Sequence, residues 1–161
     1  MEKAPAPPSE FSLYRARTLR QCAERYLEGQ ERSFAATEAR ATNLLGWNAA
    51  GIVGLAVQMI VARFNPAILV AEGCLLVSAL AACAVLWPAK WEHSGQRPID
   101  IQSWVDETEI DFESGLAGSY QAAIEENRKT MRRASRLMRI AWKALFAAPL
   151  LALLLAAIIS V

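Results

Sequence analysis

Apolar residues fall into three long runs, and the stretches before and between them hold almost all of the charge. Residues 44–62 contain no charged side chain, residues 68–87 contain only Glu72, and residues 144–161 contain none. A helix needs ~20 apolar residues to cross ~30 Å of hydrocarbon, and each run meets or nearly meets this length. The pattern therefore predicts three transmembrane helices. The alternative, buried core helices of a soluble protein, would require the small polar remainder to wrap all three. The first run lies deep in the chain and has no small-residue cleavage site, so it does not read as a signal peptide.

The polar stretches also carry helical periodicity. Residues 1–9 are rich in Pro and Ala and read as a disordered tail. Ser9, with Glu10 and Ser12, is a candidate cap for a helix reaching about Arg40. Leu19, Cys22, Tyr26 and Ser33 or Phe34 recur at three or four residues, an amphipathic stripe suited to a partner helix or a membrane surface. Gly29 weakens its middle. Asn65-Pro66 stops the first apolar helix and predicts a tight hairpin with the second. Beyond residue 88 comes an irregular stretch, then an acidic block of Asp100, Asp106, Glu107, Glu109, Asp111 and Glu113. Helical pattern starts near Ile101, with Ser103 as its candidate cap. Gly115 and Gly118 predict a break, bend or close helix crossing. From about Ser119 one long helix is expected to run into the last apolar segment, with Leu116, Tyr120, Ala123, Ile124, Leu137 and Met138 among its contacts. Pro149 is expected to kink that segment. No strand signal appears.

The expected fold is thus an all-α membrane protein with three transmembrane helices. Residues 1–9 form a tail and 10–43 a cytosolic amphipathic helix. Residues 44–87 form a transmembrane hairpin, 88–140 an acidic-then-basic cytosolic helical region, and 141–161 the last span. A homo-oligomeric bundle is the expected assembly.

Composition sharpens this picture. The 161 residues are 54% hydrophobic and 20% charged, which requires segregation of the two classes. The net charge of +1 identifies no partner by itself, and nothing favours duplex nucleic acid. The local blocks are more telling. Arg15, Arg17, Arg20, Arg25, Arg32 and Arg40 precede the first span. Arg128, Lys129, Arg132, Arg133, Arg136, Arg139 and Lys143 precede the third, and the hairpin turn carries only Arg63. Lys and Arg resist translocation, so both long polar segments are expected to be cytoplasmic. The turn and Val161 would then lie outside a bacterial inner membrane. Cys22, Cys74 and Cys83 form no CxxC motif, and His93 is the only histidine. No metal site or other cofactor is expected.

Candidate chemistry is sparse. No nucleophile–base set, Gly-rich phosphate loop or HExxH motif occurs, so no catalytic residues are assigned and an enzyme is not expected. In the first span Asn48, Gly51, Leu55, Gln58 and Ala62 make a small, polar line. Polar side chains in hydrocarbon are costly, and such a line serves helix packing, an oligomer seam or a pore. Glu72 lies one turn into the second span, with Arg63 its nearest counter-ion. Arg128, Arg132, Arg136, Arg139 and Lys143 share one helix face. That face suits anchoring on anionic lipid, pairing with the acidic block, or a phosphate-bearing ligand, because guanidinium forks fit phosphate oxygens.

The segment Tyr120-Gln-Ala-Ala-Ile-Glu-Glu-Asn127, followed by Arg128-Lys-Thr-Met-Arg-Arg-Ala-Ser-Arg136 and an apolar helix, resembles the juxtamembrane part of small membrane effectors of bacterial anti-phage systems. That group includes SLATT-domain proteins, Pycsar membrane effectors and the membrane partner of the nucleotidyltransferase in Hailong systems. The resemblance is architectural and covers most of the chain. It implies a homo-oligomer, such as a tetramer, in the lipid bilayer. A nucleotide or oligonucleotide signal made by a neighbouring nucleotidyltransferase would govern it, and it would permeabilise the membrane. No separate cyclic-nucleotide domain is visible, so the ligand would bind among the cytosolic helices. A non-conducting scaffold that recruits a cytosolic protein is the expectation from a different class.

Overall fold

The computed structural model describes residues 10–61, 65–93 and 108–159, and consists of three helices with no strand among the described residues. Helix α1 runs over Glu10–Val61, α2 over Pro66–Leu86 and α3 over Glu109–Ile159. Each contains a stretch long and apolar enough to cross a membrane.

Two boundaries differ from the sequence expectation. The helix expected to end near Arg40 continues into the apolar segment as one 52-residue element. Neither proline nor glycine occurs between Phe34 and Leu45, and a change from polar to apolar side chains does not interrupt backbone hydrogen bonding. Helix α3 likewise begins ten residues before Ser119 and passes through Gly115 and Gly118 without a break. A glycine costs about 1 kcal/mol in a helix interior. Burial of the intervening Leu116 and the following Tyr120 outweighs that cost. Thr108 caps α3, its hydroxyl hydrogen-bonded with Asp111. The candidate caps Ser9 and Ser103 and the acidic Asp100, Asp106 and Glu107 lie outside the described residues, as do the tail 1–9 and Arg63. The Asn-Pro stop is observed: the Asn65 side chain accepts from the Ala67 amide at 2.9 Å, and Pro66 opens α2, where its missing donor is harmless.

The chain divides into two compact units, Met1–Ser33 with Lys90–Thr130 and Phe34–Ala89 with Met131–Val161. In the first unit α1 and α3 run parallel. Arg17 pairs with Glu109, Arg20 with Glu113 at 2.6 Å, and Gln30 with the Ile124 carbonyl at 3.3 Å, at near-constant separations of 92, 93 and 94 residues. The seam residues on α1 are Ala16, Arg20, Ala23, Leu27 and Gln30, which alternate four and three apart, the spacing of a left-handed coiled coil. Tyr120, Ala123, Ile124 and Leu27 form its core. Leu19 and Tyr26 are therefore not the packed face that their periodicity suggested. They are exposed, with Cys22 beside them. Parallel helices in close contact place small or partly polar residues between their axes, and the bulkier row lies on the neighbouring face.

In the second unit α1 and α3 also run parallel, with α2 antiparallel and packed against both. Ala41 and Leu44 pack with Ala81, Ala82 and Val85 of α2 and with Ala134, Met138 and Ala141 of α3. Further along, Ile52 and Leu55 meet Ala71, Leu75, Leu145, Ala148 and Ala152. Stepping forward along α1 from Asn48 to Gly51 steps back along α2 from Ser78 to Leu75. A Cβ on Gly51 would lie 2.9 Å from Leu75 Cδ1, so this glycine leaves room for the Leu75 side chain against α1.

Candidate functional site

The polar line expected on the first apolar segment separates into an inside and an outside. Asn48 is fully buried, and its amide donates to Ser78 Oγ at 2.9 Å. Its carbonyl oxygen is buried without a partner. Asn48 thus joins α1 to α2 from within the unit. Ser78, also fully buried, was not singled out from sequence, because a lone serine in an apolar helix commonly bonds to its own backbone. The only sequence signal for the pair was polarity in both facing helices.

Gln58 lies on the outside. It is exposed and lines a groove of about 600 Å³ with Gly51 and Gly54 of α1, Ala71 and Leu75 of α2, and Leu145, Phe146, Pro149 and Ala152 of α3. Gln58 supplies the only amide side chain in an otherwise apolar lining. The structure therefore brings Gly51 and Gln58 together and sets Asn48 apart from them. Glu72 is half-buried on α2 and is not part of the groove lining. Helix α3 continues through Pro149, whose ring is part of the wall.

Tryptophans mark one end of the apolar segments. Trp47 stands near the start of that segment in α1, Trp87 follows the last residue of α2, and Trp142 begins the apolar part of α3. The Trp47 and Trp142 rings meet edge to face at 5.9 Å, and Trp142 stacks on Phe146 at 5.6 Å. Indoles favour the level where hydrocarbon meets water.

The basic row occupies the same end of α3 and the turns before it. Arg128, Arg132, Arg133, Arg136, Arg139 and Lys143 are all exposed, and none forms an ion pair among the described residues. Arg139 Nε donates only to the Ser135 carbonyl, at 3.4 Å. The described acidic block does not meet this row. Glu109 and Glu113 pair instead with Arg17 and Arg20, and Asp111 with Thr108.

The first unit holds polar contacts that sequence reasoning missed. Asn127 is fully buried, accepts from the Glu92 amide at 3.0 Å and donates to the Glu92 carbonyl at 2.7 Å. Thr130 donates to the Lys90 carbonyl at 3.4 Å. Burial raises the Tyr120 phenol above its usual range. The hydrogen bond from Lys129 lowers the Glu126 carboxyl, and the Glu92 carboxylate beside Lys90 raises that ammonium. Among the described residues no group of three or more His, Cys, Asp or Glu side chains is placed to hold a metal ion.

Compared with protein-family models, curated proteins and solved structures, the chain matches none.

Proposed function

We propose that the chain is a multi-pass inner-membrane effector that works as a homo-oligomer and permeabilises the membrane when its cytosolic part receives a phosphate-bearing signal. The observation that carries this reading is the uncovered surface of the apolar segments. Only 6% of the most apolar window of α3 is buried, and 11% of that of α1, so lipid and further copies must supply the rest. On that surface Gln58 exposes an amide, which in hydrocarbon favours an interhelical partner or a water path. Parallel α1 and α3 within the second unit, with basic residues preceding both apolar segments, favour a cytoplasmic N-terminus and a hairpin turn outside. The exposed Arg132, Arg133, Arg136 and Arg139, which form no ion pair among the described residues, support a nucleotide-type ligand, because several guanidinium groups along one helix suit more than one phosphate.

Asn48 acts differently here from Gln58. Its amide is spent on Ser78, so it holds the hairpin and does not face a pore. Expression of the full chain in bacterial cells, followed with a membrane-potential dye, tests the reading. Depolarisation is expected, and Gln58→Leu should abolish it while membrane insertion is retained. A chain that inserts and forms oligomers yet never depolarises cells or releases dye from liposomes would sink the conducting role.

That outcome would support a second reading, a non-conducting scaffold for a cytosolic protein. The exposed Phe11, Tyr14, Leu19 and Tyr26 of the first unit favour it, since such a row suits a partner helix. Alteration of that row should then remove the partner from pull-downs without changing insertion.

A further inference from the structure

The groove that ends at Gln58 reaches about half the depth of a bilayer below the tryptophans. Its α3 wall extends from Leu145 to Ala152 and its α1 wall from Ala50 to Gln58, each starting about one turn beyond Trp142 and Trp47. From Trp142 to Ala152 is about 15 Å at ~1.5 Å of rise per residue. On α1 the distance from Trp47 to Gln58 is about the same. The hydrocarbon of a bilayer is ~30 Å thick, so with the tryptophans at its boundary the groove lies in one half and closes near the midplane. One leaflet's acyl chain fits that depth and the nearly all-apolar lining.

Cations precede the Phe146 edge of the groove along α3. Arg139 precedes Phe146 by seven residues, two turns on the same face, and Lys143 precedes it by three. Both are exposed, and neither forms an ion pair among the described residues. Trp142 stacks on Phe146, so cation, indole and groove wall form a continuous surface along α3. Ammonium and guanidinium above, aromatic rings at the boundary and an apolar slot below match the order of groups in an anionic phospholipid.

We infer that the second unit carries a seat for one anionic phospholipid of the cytosolic leaflet. Its phosphate is held by Arg139 and Lys143, and one acyl chain fills the groove between α1 and α3. A neutral phospholipid offers the same chain but carries a choline cation that the two side chains repel. The seat requires that the three helices cross the membrane, but not that the assembly conducts.

Tryptophan quenching by brominated lipid tests the seat. The full chain is reconstituted in phosphatidylcholine vesicles containing a minor fraction of phosphatidylglycerol, with one lipid brominated along its chains at a time. The Trp142 contribution is taken as the difference from Trp142→Phe. Quenching should favour brominated phosphatidylglycerol, and Arg139→Gln and Lys143→Gln should each lower that preference by about fivefold. Both substitutions lie on the exposed face and leave the packed seam intact. Gly54→Leu should reduce quenching by either lipid, because Gly54 is part of the groove lining and a Cβ there has no other atom within 4 Å. Equal quenching by the two lipids in the unaltered chain overturns the proposal. So does loss of the preference on addition of inorganic phosphate but not of chloride at equal ionic strength, which would mark a site for soluble phosphate. Efficient disulfide cross-linking between copies through Gly54→Cys, with quenching unaffected by Gly54→Leu, would show the groove to be covered by a second chain.

Discussion

Between Ala16 and Gln30 the seam of α1 with α3 mixes apolar contact with charge, whereas between Ala41 and Leu55 the face of α1 that packs on α2 and α3 steps through Ala41, Leu44, Asn48, Gly51 and Leu55 and holds no charge. Both stretches keep the same alternation of three and four residues, so the backbone geometry is shared and the chemistry differs. In the first unit the Arg20–Glu113 pair is part-buried at the edge of the seam, and the Gln30–Ile124 bond is buried within it. In the second, small residues allow close backbone approach, and polarity is confined to the Asn48–Ser78 bond. Burial of Leu27 and Tyr120 is the kind of contact that drives association in water, where charges at the margin add specificity. Close packing of Ala and Gly is the kind that serves helices long and apolar enough to cross a membrane, where that driving force is absent.

The largest effect that would break this comparison is expected from Leu27→Ala. Leu27 is fully buried at the centre of the first unit's core, and its truncation should cost about 3 kcal/mol. Hydrogen exchange should then rise in the amides around residues 16–30 while those around residues 71–85 keep their protection. Loss of protection in both stretches together would show that the units do not unfold separately. Next comes Ala141→Leu. Ala141 has no exposure, so the added atoms overpack the second unit and should cost about 2 kcal/mol in a detergent unfolding titration. A smaller effect is expected from the asparagine contact. A double-mutant cycle of Asn48→Ala and Ser78→Ala should yield a coupling of about 1 kcal/mol, and zero coupling would remove this bond as the link between α1 and α2.

The slightest effect concerns pH. Lys129 holds the Glu126 carboxyl below its ordinary value. Its stabilising contribution is therefore present above the unfolded carboxylate range and fades as pH falls through the lowered value. Both side chains are solvent-exposed enough that this contribution is small. Lys129→Met should return the Glu126 titration towards the usual range, read by carboxyl NMR shifts, with no measurable change in unfolding.

Much of the architecture was legible in hydropathy alone: three helices with apolar stretches and a stop at Asn65-Pro66 follow from run length and proline chemistry. The seam of the first unit was not. Leu19, Cys22 and Tyr26 carry the stronger apolar signal, but the contact uses Ala16, Arg20, Ala23, Leu27 and Gln30, of which two are polar. A pattern that counts hydrophobicity passes over an arginine whose counter-ion lies 93 residues away. Helix continuity was obscured for a similar reason, since hydropathy changes at Leu44 while backbone propensity does not. At the candidate site, polarity picked out Asn48 and Gln58 alike. Only their positions relative to α2 and α3 separate an internal bond from an exposed amide.

The bidentate contact of Asn127 with the Glu92 backbone bears on how the chain can be engineered. It ties together two positions 35 residues apart and is reinforced by Thr130 on the Lys90 carbonyl. Glu92 is thereby held against α3, whose first residues after Thr108 are fixed in the same unit. Lengthening a connection whose ends are already held costs only the logarithm of its size, about 0.6 kcal/mol for each doubling. A fluorescent module or epitope inserted between Glu92 and Thr108 should leave both units folded. Two polypeptides divided within that interval should reassemble when produced together, a route to labelling the first unit without touching either seam.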